Sequence, residues 1–433
     1  MKIIIYWFRN DLRLIDNSSF LKASANADIL LPIFIHHQRD DSRAQWNFPR
    51  VGVHRKKFLN ESLDDLSRQL KLLNSALIEL HGNLESIFLC LKNNLGSFDV
   101  YTQKIEAPEE TQDINVLEKM GIRVTQTWQS SMIDPDLLPF ELAQMPDVFT
   151  QFRQKIEREK IRFSPPVLAP NRLPSLPHES NIKELLSSSF IFQEKTKNSL
   201  NDSLISLVNK PANHFRGGEV SANEHLKQYL LRRLPDSYKK TRNQLIGMDY
   251  SSKFSPWLAH GCLSARSIAS ELYEYEKQWG ANEGTYWLWF ELLWRDYFHF
   301  LPFKYGKRLF FSKGLGDKQM PKLNEKDLNL WVNGQTKEPF INAAMRELSL
   351  TGYLSNRMRQ IVASYWIYDM CGAWIAGAAW FESQLIDYDV YSNQGNWLYI
   401  AGRGTDPRGG RAFNVEKQMR EYDPEGTYRK MWQ

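Results

Sequence analysis

The segment EGTYWLWFELLWRDYF carries three side chains of different chemistry at helical spacing. Glu291, Trp294 and Arg295 stand at positions i, i+3 and i+4, so a helix would place them on one face. An acid, an indole and a guanidinium would then converge at one place. The structural alternative is an amphipathic helix with an internal Glu–Arg pair and an aromatic core stripe, and this segment alone does not exclude it.

Two further segments carry polar side chains that would suit the same site. TGYLSNRMRQ places Asn356 and Arg359 three residues apart on a helix, and QLIDYDVYSNQGNW adds Asp387, Asp389 and Asn393. Carboxylates two residues apart are compatible with a metal site, but neither a histidine nor a third acid stands at ligand spacing. We therefore expect no metal here, and interpret these side chains as hydrogen-bonding partners of a polar organic cofactor.

A fourth segment, DYSSKFSPWLAHGCLS, is rich in groups that bind anions. Ser251, Ser252, Lys253 and Ser255 stand just before a predicted helix. Hydroxyls, an ammonium and free backbone N–H groups suit a phosphate or pyrophosphate. The cofactor predicted from the neighbouring segments would thus carry a pyrophosphate.

Two other motifs do not support a site. GRGTDPRGG follows no strand and lacks the G-x-G-x-x-G register of a dinucleotide-binding loop. His36 and His37 form a dipeptide at a predicted strand end, and the sequence around them offers no motif of a catalytic base, which favours packing or a surface position.

The elements that must position these residues differ between the two ends of the chain. Up to about residue 130, five short apolar runs alternate with helical stretches such as 53–73 and 108–120, which predicts a parallel α/β sheet. Five prolines within 164–180 and polar runs around 187–199 indicate a linker. From residue 212 onward helical periodicity dominates. We predict a Rossmann-like α/β domain over 1–130, a linker over 131–211 and an all-α domain over 212–433.

Composition excludes several classes of protein. Three cysteines without a CxxC pair argue against a disulfide framework or a zinc site, and favour a reducing cytoplasm. The net charge of +5 is too small to identify a partner. The apolar stretch 361–381 is long enough to span a membrane, but Asp369 near its centre favours a buried helix.

The quoted motifs, together with WFRNDLRLIDN near the start and AFNVEKQMREYDPEGTYRKMW near the end, resemble the cryptochrome/photolyase family of the DASH type. The resemblance covers essentially the whole chain. It implies an α/β antenna domain and a helical domain that holds a U-shaped FAD. It also implies light-driven repair of cyclobutane pyrimidine dimers in DNA, with a blue-light photoreceptor or nucleic-acid-binding regulator as the alternative.

By resemblance, each motif residue receives a role. Ten side chains would line the flavin: Tyr238, Ser251, Ser252, Lys253, Ser255, Arg295, Arg359, Asp387, Asp389 and Asn393. Five would meet the substrate: Glu291, Trp294, Asn356, Gln360 and Tyr399. Glu291 and Asn356 would take part in repair, and Trp397 and Trp374 would conduct electrons to the flavin.

The position of Asn393 is implied to face flavin N5. An amide there delivers a proton less readily than the acid of plant photoreceptors, which favours the reduced flavin and repair. Duplex-repairing photolyases usually have a tryptophan and a methionine where this chain has Tyr399 and Gln360. Because a smaller, more polar pocket offsets less of the cost of base flipping, we predict a preference for single-stranded or looped DNA, with RNA as a further candidate partner.

Two features depart from the family pattern. The family's third electron-conducting tryptophan would fall at Pro321, so photoreduction is expected to be slow or to pass through Trp366 or Trp380. Glu109 stands where the family binds a methenyltetrahydrofolate antenna, but it follows Pro108, and a structural role in the first helical turn is an equal alternative. We expect a monomer, and no signalling tail after the final WQ.

Overall fold

A parallel sheet of five strands forms the N-terminal part of the computed structural model, which describes residues 1–178, 215–317, 319–322 and 324–433. The strands are β1 (Ile3–Phe8), β2 (Ile29–His37), β3 (Ile78–Gly82), β4 (Asp99–Gln103) and β5 (Arg123–Thr127). Their order is β3-β2-β1-β4-β5, and every neighbouring pair is parallel. This is the order of a doubly wound sheet, so the predicted Rossmann-like domain is confirmed.

Side chains of the central strand β1 alternate between two cores, as the period of a strand requires. Ile4, Tyr6 and Phe8 belong to a large core that continues into the C-terminal helices, whereas Ile5 and Trp7 belong to a smaller core on the other face. One face of the sheet therefore packs against the second domain.

Four helices and a 3₁₀ turn accompany the sheet. They are α1 (Ser18–Asn26), α2 (Val53–Leu72), α3 (Leu84–Leu95) and α4 (Pro108–Lys119), with the turn at Gln38–Asp41. The predicted helices 53–73 and 108–120 are confirmed to within one residue. Pro108 begins α4 where its missing N–H costs nothing, and the Asn83 side chain caps α3.

The first part of the predicted linker contains helical structure. It has two 3₁₀ turns, Pro135–Leu137 and Leu142–Gln144, and the helix α5 (Phe149–Arg158). The proline-rich stretch that follows is tied to the sheet domain, because Asp16 N–H donates to the Val167 carbonyl at 2.8 Å and Val167 N–H to the Asp16 carboxylate at 3.1 Å. The remainder of the predicted linker, residues 179–211, lies outside the described residues.

The C-terminal half is helical, and none of its described residues from 215 onward forms a β-strand. The helices are α6 (Glu219–Leu231), α7 (Tyr238–Thr241), α8 (Ser255–His260), α9 (Ala265–Trp279), α10 (Glu283–Tyr305), α11 (Glu325–Val332), α12 (Pro339–Thr351), α13 (Asn356–Ser364), α14 (Trp374–Gln384), α15 (Val390–Ile400), α16 (Val415–Tyr422) and α17 (Thr427–Met431). Shorter 3₁₀ turns lie at Leu234–Ser237 and Gly306–Phe310.

The apolar stretch 361–381 is not the single buried helix that its composition predicts. It continues past α13 as a π-helical turn, Tyr365–Asp369, breaks at residues 370–373, and resumes as α14. The break lets Gly372 pack directly on the Trp366 ring, where a β-carbon would collide with the indole. Within the part of the chain that the structure describes, no helix is long and apolar enough to cross a membrane.

Buried polar contacts hold the two domains together. The Asp296 carboxylate on α10 accepts hydrogen bonds from the N–H groups of Met132 and Ile133, each at 2.8 Å. Asp16 of the sheet domain pairs with Arg266 on α9 at 2.9 Å, and both side chains are buried. Separating the domains would leave each of these charges without its partner. The buried contacts therefore favour the packed arrangement of the two domains.

Candidate functional site

Helix α10 carries the first predicted constellation. An Asn282–Thr285 capping box starts this helix, which runs for 23 residues through the helical domain. The Arg295 guanidinium donates to the Ser130 carbonyl and, at 3.5 Å, to the Leu258 carbonyl just before the end of α8. Arg295 is thereby fixed between the two domains.

Arg359 and Asp387 are brought together as a largely buried ion pair. The Arg359 Nη2 donates to Asp387 Oδ2 at 2.7 Å, and the Asp387 side chain is fully buried. The other carboxylate oxygen, Oδ1, finds no hydrogen-bond partner among the described residues. Because an unpaired buried oxygen costs free energy, its position fits a polar ligand that supplies the missing donor.

Asp389 and Asn393 lie at the start of α15. The Asp389 carboxylate caps the helix through the Ser392 N–H at 2.7 Å and contacts His299 Nε2 at 3.2 Å. These contacts outweigh burial and hold the pKa of Asp389 well below its usual range. The Asn393 side-chain amide donates to the Ala378 carbonyl on α14 at 3.1 Å, which fixes its orientation.

The serine-rich segment before α8 forms a cradle of a different kind. Lys253 is buried, with the left-handed φ of 56°, and its Nζ lies 3.4 Å from the centroid of the Tyr250 ring. Burial lowers the pKa of Lys253 from 10.5 to about 7. Ser252 accepts a hydrogen bond from His225 through its carbonyl, and Ser255 is the first residue of α8. Tyr238, also buried, begins α7.

Glu347 on α12 belongs to the same cluster, although the motifs did not single it out. Its charge acts on Lys253, its carboxylate accepts a hydrogen bond from Tyr428, and burial raises its pKa to about 7. Lys253 also lies in the field of Arg359 and Asp387. The only sequence signal was the place of Glu347 within MRELSLTGY.

Comparison with known proteins agrees with this arrangement. Residues 4–172 match the family described as DNA photolyase, and residues 287–433 match the FAD binding domain of DNA photolyase. Cryptochrome DASH of Xenopus laevis is 43% identical over 444 residues, covering 100% of this chain and 82% of the relative. The chain belongs to the cryptochrome/photolyase family, DASH type.

Solved structures extend the comparison to the fold. The cryptochrome of Synechocystis sp. PCC6803 is 36% identical and matches 100% of this chain and 88% of its own, with a TM-score of 0.88. An archaeal photolyase from Sulfolobus tokodaii, described as carrying two FAD molecules, is 26% identical over 99% of this chain and 90% of its own, with a TM-score of 0.73. The helical half of this DASH-type chain is therefore an FAD-binding domain.

Glu291 lies one turn before Arg295 on α10 and forms an ion pair with Arg242. The Arg242 guanidinium also lies 4.4 Å from the centroid of the Trp287 ring. Burial raises the pKa of Glu291, while Arg242 opposes that shift. Arg242 was missed in the sequence because it follows a short helix, 49 positions before its partner.

Trp294 is enclosed by other aromatic rings. Phe149 of α5 stacks on one face with centroids 3.6 Å apart, and Tyr399 meets Trp294 edge-on at 5.7 Å. On α13, Asn356 is exposed and Gln360 is half-buried one turn later. The predicted substrate residues thus come from three helices, α10, α13 and α15.

Trp397, one of the two predicted electron-conducting residues, lies within an aromatic cluster. Trp397 meets Trp331 edge-on at 6.3 Å, and Trp331 stacks on Trp366 at 5.3 Å. Trp374 is also buried, and its indole N–H donates to the Ser312 carbonyl at 2.9 Å. The cluster includes Trp331, which the motifs had used only as a counting point.

Glu109 at the start of α4 is held by two arginines. Arg50 donates to its carboxylate at 2.5 Å, and Arg39 lies at 3.4 Å. Arg50 also contacts Glu382 of the helical domain at 3.4 Å. Across the described residues, no group of three or more histidine, cysteine or acidic side chains is arranged to hold a metal ion.

Proposed function

We propose that this protein uses light to split cyclobutane pyrimidine dimers in DNA, with single-stranded DNA as the preferred substrate. The observation that carries the proposal is that neighbouring residues of α10 contact different parts of the predicted site. Trp294, three residues after Glu291, meets Tyr399 edge-on, while Arg295 in the next position contacts α8, whose first residue is Ser255. One rigid helix would therefore hold the lesion and the cofactor in fixed relation, as electron transfer between them requires.

The predicted flavin residues fit FAD. FAD supplies the light-driven electron when it is bound in its reduced form. Arg359 would balance negative charge near the isoalloxazine, and the unpaired Oδ1 of Asp387 would accept a hydrogen bond from the cofactor. Asn393, whose amide is anchored to Ala378, would face flavin N5 without offering an acidic proton. Lys253 and the three serines, Ser251, Ser252 and Ser255, would meet the pyrophosphate.

The lesion side would stabilise the negative charge that the dimer acquires. Glu291 would donate a hydrogen bond to the dimer when protonated, and burial favours that form. Arg242 adds a positive charge next to Glu291 and would either share the proton or stabilise the radical anion directly. Asn356 and Gln360 would supply the remaining polar contacts from α13.

The preference for single strands follows from the free energy that is needed to flip the lesion out of the base stack. A flipped lesion must leave the stack, which costs a few kcal/mol and is least for single strands. Tyr399 offers one edge-on ring next to Trp294, and Phe149 already covers the other face of Trp294. Contacts in such a pocket would offset only a small part of the free-energy cost of unstacking, so duplex substrates would bind poorly.

An antenna chromophore is a separate part of the proposal. 5,10-Methenyltetrahydrofolate would bind next to Glu109 and contact the Glu109 carboxylate. The two arginines that already pair with Glu109 support the competing structural role. An absorbance spectrum of the purified protein decides, because a folate antenna adds a near-ultraviolet band that FAD alone does not explain.

The alternative function is that of a blue-light photoreceptor that binds nucleic acid without turnover. The relatives that carry the name cryptochrome favour it, since one fold can support both activities. The decisive experiment illuminates the reduced protein with dimer-containing oligonucleotides, single- and double-stranded, and counts restored thymines. Repair of the single strand supports the proposal, equal rates on both substrates refute the strand preference, and binding without repair favours the photoreceptor.

A further inference from the structure

The segment after α15 folds back on the helix that carries Tyr399. Arg411 N–H donates to the Ile400 carbonyl at 2.9 Å, which closes the loop 401–410. Gly402 and Gly409 both have positive φ, and a β-carbon on Gly402 would collide with the Gly409 carbonyl. This close approach explains Gly402 and Gly409 of GRGTDPRGG without a phosphate ligand. The loop therefore brings Arg411 to the side of Tyr399.

A buried acid fixes the Arg411 guanidinium. Asp406 accepts from Arg411 Nε at 2.8 Å and from Nη2 at 3.2 Å, and the Asp406 side chain is fully buried. The Asp406 carboxylate also accepts from the Arg408 backbone N–H at 3.2 Å. A guanidinium held at two nitrogens by one carboxylate has a set direction as well as a set place.

The fixed guanidinium acts on Tyr399 in two ways. Arg411 Nη2 donates to the Tyr399 hydroxyl oxygen at 2.7 Å, and its Cζ lies 4.9 Å from the centroid of the Tyr399 ring. The same ring meets Trp294 edge-on at 5.7 Å. Asp406, Arg411, Tyr399 and Trp294 thus form a continuous chain of contacts from the loop to the pocket.

We propose that Arg411, oriented by Asp406, is a positioning residue that fixes Tyr399 as a preformed wall of the lesion pocket and so sets its preference for unstacked bases. The inference rests on the proposed function, because it assumes that a flipped pyrimidine dimer enters this pocket. A tyrosine held before binding needs no ordering when the base arrives, which favours affinity for a base that is already unstacked. Because Arg411 holds the Tyr399 ring, the ring also cannot rotate to make room for the bases and second strand that surround a lesion in a duplex.

The rival role for Arg411 is a contact with the DNA backbone. Its side chain is about one quarter exposed, at 26%, and an arginine in that setting could bind a phosphate. Loss of a phosphate contact weakens binding to every strand and lowers the salt dependence, whereas loss of a positioning residue weakens binding only to the damaged strand. The two roles therefore differ in measurable ways.

The test measures binding in the dark, where repair does not proceed. The FAD-loaded wild type, Arg411→Gln, Tyr399→Phe and the double variant are titrated with single-stranded oligonucleotides with and without one dimer, at two salt concentrations. We expect each single variant to lose about tenfold in affinity for the dimer strand, the scale of one charged hydrogen bond. Undamaged strands should bind as before, and the double variant should lose no more than either single one, since both remove the same contact.

Arg408→Gln is the matched control, because it removes the same charge from the same loop at an exposed position. Arg411→Lys, which keeps the charge but not the planar fork of the guanidinium, should recover part of the lost affinity. Flavin content and melting temperature of each variant verify that it is folded. A variant that does not fold is replaced by Asp406→Asn, which frees the guanidinium and should reproduce the loss.

Three results would overturn the proposal. They are equal weakening for damaged and undamaged strands with a reduced salt slope, additive losses in the double variant, and unchanged dimer affinity in Arg411→Gln. A wild type that does not distinguish dimer from undamaged strand would contradict the proposed function itself. The two failures are therefore separable.

Discussion

Glu291 on α10, three residues before Trp294, forms an ion pair with Arg242, just beyond α7. Neither side chain is fully buried, since 29% of Glu291 and 22% of Arg242 remain exposed. The pair therefore opens toward an incoming ligand while its two charges hold each other in place. Burial raises the pKa of Glu291 and Arg242 counters the rise, so the proton on Glu291 depends on its partner.

Replacement of Glu291 should impair repair according to hydrogen-bonding capacity. Glu291→Ala removes the group that would stabilise the dimer radical anion, and we expect a loss of about tenfold or more in repair per absorbed photon. Glu291→Gln keeps a neutral N–H donor and should lose less. The measurement is thymine recovery from a single-stranded dimer oligonucleotide under limiting light; equal activity of the alanine variant and wild type would exclude this role.

The partner of Glu291 provides the control for charge. Arg242→Gln removes the cation that favours the carboxylate, so the pKa of Glu291 should rise further. If protonated Glu291 is the active form, wild-type repair falls as the pH rises through that pKa, and in Arg242→Gln this fall should move to higher pH. A shift toward lower pH would contradict the assignment.

Asp387 is expected to be essential for holding the flavin. Asp387→Ala leaves the largely buried Arg359 without its partner, which costs up to about 3–5 kcal/mol, and removes the oxygen that has no donor among the described residues. Flavin content after purification should fall sharply, and the melting temperature should drop. Normal flavin content in the variant would place the cofactor elsewhere.

A surface ion pair serves as the comparison for Asp387. Glu416 pairs with Arg420 on α16, where 65% and 73% of the side chains are exposed. Such pairs contribute about 0–1 kcal/mol, so Glu416→Gln should change neither stability nor flavin content. The contrast separates loss of the cofactor from a general effect of removing a carboxylate.

The sequence predicted the elements well because their signals are local. Alternating apolar runs located all five strands, and helical periodicity located α2 and α4. The break at residues 370–373 was not predicted, because it depends on the contact between Gly372 and Trp366, which only tertiary packing creates. A hydropathy profile reports the apolar composition of that stretch but not the position of the helix break.

For the site, the motifs located residues that share a helix or a turn but not their distant partners. The Arg359–Asp387 pair joins two quoted motifs, so its members were both in view. Arg242 and Glu347 were not found, since each meets the site from a separate element and neither has a distinctive spacing. Residue type and periodicity carry no information on such long-range contacts.

We expect Lys253 to make the affinity for flavin depend on pH. With its pKa lowered to about 7, Lys253 is partly neutral at neutral pH in the apoprotein, and a bound anionic phosphate would raise that pKa again. Binding then takes up a proton, so affinity should fall as the pH rises above about 7, by at most about tenfold per pH unit. Titration of the apoprotein with FAD between about pH 6 and about pH 9 measures this slope.

Two variants identify the group that titrates. Lys253→Met should bind FAD weakly with a flatter pH profile, and Lys253→Arg should keep the charge and its affinity at high pH. Glu347, whose pKa is also about 7, is separated by Glu347→Gln. An unchanged slope in Lys253→Met would assign the proton to another residue.

The tryptophan cluster predicts which residue replaces the missing electron donor. Both Trp366 and Trp380 are candidates, but only Trp366 belongs to the chain of ring contacts that leads through Trp331 to Trp397. At Gly377 a side chain would collide with the Trp397 ring and crowd Trp366, so this glycine keeps the two indoles close. Trp380 instead packs on Phe48 at 5.1 Å.

Electron transfer slows steeply with the gap between donors, so contact within the cluster should decide the rate. We expect Trp397→Phe to abolish light-driven reduction of the purified oxidised protein in the presence of a thiol reductant, Trp366→Phe to slow it markedly, and Trp380→Phe to leave it near the wild-type rate. Phe381→Leu, which loosens packing on Trp331 and Trp397 without removing an indole, controls for structural damage. If Trp374→Phe alone slowed the reaction while Trp366→Phe did not, the route would run through Trp374 despite Pro321.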